Sequence, residues 1–384
     1  MTTTASGTQS FTYGSEAAPI RLRGGGSLDS VTVAYETYGT LNAAKDNAVL
    51  VFHALTGSQH ASGVVTDVPE AGDRWTEDVH VGWWDGFVGP GAAIDTDELY
   101  VVCVNFLGGC YGTTGPSSTN PATGAPYGSA FPTVTFADMV DTQVELIRHL
   151  GIERLRAAVG GSVGGFMAVS LATRYPDLVD IVIPIASGLR VTELQTLHNF
   201  EQITAIVTDP GFEGGDYYQG PGPVDGLRLA RMISHKTFVS LDALADRARS
   251  GIASSSGPDG YEATNSLESY MWHQGSKFVR RFDANSYLRI MQAWQSVDLA
   301  AEAGVETAEE LFARSGDQRY MVFSIDSDVC FYPEEQRNLS RALKHVGIRH
   351  RHITVHSDKG HDSFLTDPQL FAPHVRDTLL NPWT

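Results

Sequence analysis

The run Gly160-Gly161-Ser162-Val163-Gly164 places a serine among closely set glycines and matches G-x-S-x-G. In that pattern a sharp strand-to-helix turn lifts the hydroxyl clear of the backbone, and side chains at the flanking positions would collide with neighbouring chain. A helix beginning just after the serine adds partial positive charge where an oxyanion would develop. A serine hydroxyl is inert without a base, so a histidine and an orienting acid are required. With this turn the expected chain order is serine, acid, histidine, with the acid past a strand end and the histidine in a later loop. Asp328 follows the run YMVFSI, and His361 lies in DKGHDSF after HITV. Asp326 competes for the acid role, but Asp328 lies further past the strand terminus and is preferred.

Two backbone donors would complete an oxyanion hole: Val163, directly after the serine, and Leu55 in the HALTG loop that closes an early apolar run. His361 stands out among thirteen histidines because a glycine precedes it and a strand ends just before its loop. His53, His60, His235 and His273 read as packing or hydrogen-bonding residues, and Trp83 and Trp84 as core aromatics. No H-E-x-x-H or C-x-x-C spacing points to a metal, and none is expected.

Strands and helices must hold these groups in place. Apolar and β-branched runs at 31–38, 48–53 and 99–105 read as strands, followed by a helix with a Thr135/Asp138 N-cap pairing that ends at Gly151. A strand at 155–159, the glycine-rich turn, a helix toward Pro176 and a strand at 181–186 continue the alternation of a mainly parallel sheet covered on both faces. From 187 to 315 the pattern turns helical, an inserted lid within which GFEGGDYYQGPGPVDG is a loop before helical sequence resumes at Leu227. Strands at 320–325 and 352–355, a helix after Pro333 and a terminal helix at 368–380 complete the core. The expected division is therefore core at 16–186 and 316–384, lid at 187–315, and a poorly ordered tail at 1–15.

A chain of 384 residues and 42% hydrophobic content can bury a substantial core. Its formal charge of -18 disfavours nucleic acid and anionic membrane partners. Cys103, Cys110 and Cys330 fit neither a disulfide framework nor a zinc module, so a reducing cytoplasm is expected. The N-terminal residues lack the basic start and apolar stretch of an export signal, and no run reaches membrane-spanning length.

With these motifs in order, the chain closely resembles the homoserine O-acetyltransferases, acyltransferases of α/β-hydrolase fold. The likeness spans nearly the whole sequence through AYETYGTLN, NAVLVFHALTG, GWWDGFVGPGAAIDTD, NFLGGCYGTTGPSS, NPATGAPYGSAFP, GGSVGG, HQGSKFVRRFDANSYL and GHDSFL. The resemblance implies a ping-pong reaction in which acetyl-CoA acetylates Ser162 and the acetyl group then passes to the L-homoserine hydroxyl. His361 would be base and acid, Asp328 its orienter, and Leu55 and Val163 the oxyanion donors. Arg231, in GLRLARMISHKT, would bind the amino-acid carboxylate, and Asp362 its ammonium. It further implies a homodimer, and no cofactor beyond the CoA thioester used as substrate. Four departures bear on the acceptor: Val163 for methionine, Phe238 for tyrosine, Ala293-Trp294-Gln295 for A-M-D, and one extra residue between Asp328 and Pro333. A succinyl donor, another hydroxy amino acid, or water in an esterase reaction are the rival readings.

Overall fold

One eight-stranded sheet organises the protein, a computed structural model of which describes residues 7–250 and 257–381. Its strands are β1 Gln9–Tyr13, β2 Val31–Tyr38, β3 Ala48–Phe52, β4 Tyr100–Val104, β5 Leu155–Gly161, β6 Val179–Ile185, β7 Arg319–Ile325 and β8 Arg349–Val355. They lie in the order β1-β2-β4-β3-β5-β6-β7-β8. From β4 through β8 all neighbours are parallel, while β2 pairs antiparallel with both β1 and β4. This is an α/β-hydrolase architecture.

Alternation along β3 explains the layers. Leu50 and Phe52 enter one hydrophobic cluster, and Val49 and Val51 enter another on the opposite face. The first cluster packs under helices α1 Phe136–His149 and α2 Val163–Arg174, whose apolar sides supply Met139, Val140, Phe166 and Val169. The second packs under the terminal helix Ala372–Leu380 through Val375 and Leu379. A strand covered on both faces has no polar side, which is why AVLVF is buried at every position. At the other extreme β8, an edge strand, reads RHRHITV with charged residues exposed. Helix α1 begins in the expected capping box: Thr135 Oγ1 accepts from the Asp138 N–H at 3.1 Å, and Asp138 Oδ2 accepts from the Thr135 N–H at 2.8 Å. Such a cap is worth about 1 kcal/mol.

Between β6 and β7 the described chain is helix, turn and loop. It carries α3 Glu193–Val207, α4 Val224–Phe238, α5 Leu241–Ser250, α6 Ser266–Arg281 and α7 Ala284–Ser296, then two short helices. The Gly/Pro-rich stretch contains a 3-10 turn at Pro210–Gly215, and helix resumes at Val224, slightly before the expected Leu227.

The tail requires a correction. Residues 1–6 lie outside the described structure, but 9–13, expected to be poorly ordered, form β1 in register with β2 from Gln9 opposite Tyr35 to Tyr13 opposite Val31. Thr8 Oγ1 donates to the buried Glu36 carboxylate at 2.8 Å, and Phe11 stacks on His149 at 4.1 Å. A polar terminus is ordered here because β2 offers it an open edge and α1 an aromatic surface.

Candidate active site

Strand β5 ends and α2 begins at Ser162, which adopts φ 59° and ψ -130°. A side chain at positive φ costs on the order of 1–3 kcal/mol and persists only where the surroundings impose it. Here they do. A Cβ at Gly160 would lie 2.3 Å from the Gly164 carbonyl oxygen, and one at Gly164 would lie 2.4 Å from that of Phe52. The Ser162 N–H is tied to the Ile185 carbonyl at 2.9 Å. The elbow is thus pressed between the ends of β3 and β6, with α2 starting at its serine.

Asp328 lies just past β7, fully buried, its Oδ1 accepting from the Cys330 and Phe331 N–H groups at 2.8 and 2.9 Å. Its Oδ2 lies 2.7 Å from His361 Nδ1. That bond places the proton on Nδ1 and leaves Nε2 with a free lone pair, the tautomer a base needs. Burial alone would disfavour the imidazolium, but Asp328, by charge and hydrogen bond, then Asp362 and Glu335, hold the His361 pKa above its ordinary value. Glu335 itself is pushed up to about 8, by burial first and then by the Asp328 charge. Asp326 takes no part: it bonds His356 Nδ1 at 2.7 Å and the Ser357 N–H at 3.1 Å on the surface.

Aromatic rings bring serine and histidine to the same place. A Cβ on Gly161, the residue before Ser162, would lie 2.5 Å from the Phe364 ring, and that ring stands edge-on to His361 at 5.6 Å. Phe331 stacks on the imidazole at 5.3 Å and also touches Phe166 of α2 at 5.5 Å. Trp294 stacks behind Phe331 at 5.5 Å. Trp84, stacked on Trp83, donates from Nε1 to the Phe364 carbonyl at 2.9 Å, so this pair buttresses the site from the core. Among the described residues His361 Nε2 is buried without a hydrogen-bond partner, and no Ser162–His361 hydrogen bond is formed. Such bonds commonly tighten only when substrate is in place.

Leu55 and Val163, the expected oxyanion donors, follow the ends of β3 and β5. Neither N–H finds an acceptor among the described residues, and both residues are buried. The Leu55 loop leaves β3 directly against α2: a Cβ on Gly164 would also lie 2.8 Å from the His53 carbonyl oxygen.

Helix α4 brings Arg231 toward His361 through Phe238. Its guanidinium lies 5.4 Å from the Phe238 ring centre and 5.2 Å from that of Phe278. Phe238 in turn lies 6.1 Å from His361, and its carbonyl accepts from the Asp362 N–H at 2.8 Å. Burial and the neighbouring Arg281 charge lower the Arg231 pKa, partly offset by the Asp362 carboxylate. Ser162, Asp328, His361, Leu55, Val163, Arg231 and Asp362 therefore converge at one end of the sheet. Phe331 and Phe364 are not legible as site residues in the sequence, because an aromatic beside a catalytic loop reads the same as any core aromatic.

Comparison with known proteins narrows the reading. A family model described as alpha/beta hydrolase fold matches residues 47–368. A homoserine O-succinyltransferase of Azoarcus sp. (strain BH72) is 42% identical over 95% of this chain and 93% of its own length. A homoserine O-acetyltransferase of Solidesulfovibrio magneticus is 41% identical over 92% of this chain and 87% of its own. The chain belongs to the homoserine O-acetyltransferase family of α/β hydrolases. Among solved structures, a homoserine O-acetyltransferase from Bacillus anthracis aligns with TM-score 0.83 and 26% identity over 97% of this chain and 98% of its own. Esterase E22 aligns with TM-score 0.85 and 27% identity over 97% of this chain and 100% of its own. Two of the family departures lie beside the site: Phe238 flanks Arg231, and Trp294 backs the ring that stacks on His361.

Proposed function

We propose that this chain moves an acetyl group from acetyl-CoA to the hydroxyl of L-homoserine through an acetyl-Ser162 intermediate. The observation that carries this reading is a half-buried guanidinium and a carboxylate, Arg231 and Asp362, beside an Asp328–His361 pair and a serine elbow. A zwitterionic amino acid presents the matching charges. In the first half-reaction His361 Nε2 takes the Ser162 proton as Oγ attacks the thioester carbonyl. The oxyanion is held by the Leu55 and Val163 N–H groups, the C–S bond breaks, and the proton leaves with the CoA thiol. In the second, His361 accepts the homoserine hydroxyl proton as that oxygen attacks the acetyl carbonyl, the bond to Ser162 Oγ breaks, and the proton returns to Oγ. The helices between β6 and β7 act as the lid. A homodimer belongs to the same proposal, supported by Leu194, Leu197, Phe200 and Val207 lying exposed along α3.

A panel of acetyl-CoA and succinyl-CoA crossed with homoserine, serine and water, with the products weighed by mass spectrometry, tests this. Acetyl-CoA with homoserine should give O-acetylhomoserine, and thiol release should rise severalfold when homoserine is added. Equal release with homoserine and with water alone would favour an esterase, the reading that the likeness to esterase E22 supports. Arg231→Lys keeps the charge but loses the two-pronged donor geometry, so the homoserine KM should rise about 10–100-fold. Acetyl-enzyme formation without homoserine should stay within about twofold of wild type. An unchanged KM would remove Arg231 from the amino-acid site.

A further inference from the structure

The first residue of the HALTG loop has no part in the proton relay, yet its ring is hydrogen-bonded on both nitrogens. His53 is buried, and its Nδ1 lies 2.7 Å from the Ala54 carbonyl oxygen. Its Nε2 accepts from the Phe106 N–H at 3.3 Å, and the ring stacks on Phe106 at 3.4 Å between centroids. One tautomer satisfies both bonds: the proton sits on Nδ1 and donates to Ala54, while the Nε2 lone pair faces a donor. Burial drives the His53 pKa down to about 3 against the Ala54 bond, so the ring keeps that form at every working pH.

Peptide geometry gives this bond its reach. The Ala54 carbonyl and the Leu55 N–H belong to a single planar peptide unit, and no cis bond occurs among the described residues. In a trans unit the N–H points opposite to the C=O. Pinning the Ala54 oxygen therefore fixes the direction of the Leu55 N–H, which has no acceptor among the described residues. The same oxygen also accepts from the Gly57 N–H at 3.0 Å, closing the loop as a tight turn, and a Cβ on Gly57 would lie 2.8 Å from His53 Cβ. Further along, Arg281 Nη1 donates to the Thr56 carbonyl at 3.1 Å and to the Tyr111 hydroxyl at 3.1 Å, anchoring the next peptide to the helical insertion.

We propose that His53 is a positioning residue that orients the Ala54–Leu55 peptide, and hence one of the two oxyanion donors, without exchanging a proton in the reaction. This rests on the acyltransferase reading above only in taking acylation of Ser162 as the step that is helped. The test therefore uses p-nitrophenyl acetate, whose burst reports that acylation whatever the natural donor or acceptor. His53→Asn sets an amide donor close to the Nδ1 position, His53→Gln sets one near Nε2, and His53→Leu has neither. His53→Leu should acylate about 10–100-fold more slowly, the loss expected for a mis-aimed oxyanion donor. His53→Asn should recover most of the rate, and His53→Gln should not. The deficit should be the same factor from pH 6.5 to 9, because no titrating proton is involved, and the KM for homoserine should move less than about threefold. Should His53→Leu fail to fold, the contrast between the Asn and Gln variants decides. Equal rates in those two, or a folded Leu variant with a wild-type burst, would overturn the proposal. A wild-type protein that shows the burst but ignores homoserine would sink the transferase reading and leave this test standing.

Discussion

Ser162→Ala should lower acyl transfer by about 10⁴-fold or more, since the nucleophile of such a relay acts as a unit with its base. Incubation with acetyl-CoA should leave no acetyl adduct on the peptide containing residue 162, whereas the wild-type protein should carry one in the absence of acceptor. Stability should change little. Alanine takes the same positive φ that the neighbouring chain already imposes on serine, and the Ser162 side chain caps no helix donor. An undiminished turnover in this variant would show that another group is the nucleophile.

Asp328→Asn should cost about as much, roughly 10⁴-fold, and should also move the pH profile. In the wild type the His361 pKa is raised above its ordinary value, so acylation should rise as pH climbs through that raised value and frees Nε2. Removing the Asp328 charge and acceptor leaves burial unopposed by its largest counterweight, so the acid limb of the residual activity should shift to lower pH. The stability linkage has the opposite sense. A group whose pKa is raised on folding stabilises fully below its unfolded pKa and loses that contribution as pH rises through the folded one. The Asn variant should therefore lose more stability near pH 6 than near pH 9, as denaturant unfolding at the two pH values would show. An acid limb that stays in place would mean that Asp328 does not set the His361 ionisation.

Much of this site was legible in the chain because local rules write it there. G-x-S-x-G needs its glycines for steric reasons that involve the elbow's own neighbours. Thr135 and Asp138 cap α1 with atoms three residues apart. β3 is buried on both faces and so shows an unbroken apolar run. What stayed hidden depends on partners distant in sequence. Strand β1 has five residues of mixed polarity, and only the free edge of β2 makes it a strand. Phe331 becomes part of the site by lying on His361, and nothing in CFYPEE announces that. His53 reads as an ordinary buried histidine until the Ala54 oxygen and the Phe106 amide are seen on its two nitrogens.

The order of the strands has a bearing on how the protein is made. The chain leaves the sheet at Ile185, builds its helical insertion, and returns at Arg319 to lay β7 beside β6 and then β8 beside β7. Ser162 precedes that excursion, and both Asp328 and His361 follow it. On the proposed mechanism a nascent polypeptide still emerging from the ribosome should hold its hydroxyl idle until the closing rungs of the ladder are in place, and a product truncated before β8 should be unable to capture an acyl group. Activity appearing during refolding would then report docking of the C-terminal strands, a late event because so long a loop must close before they can pair.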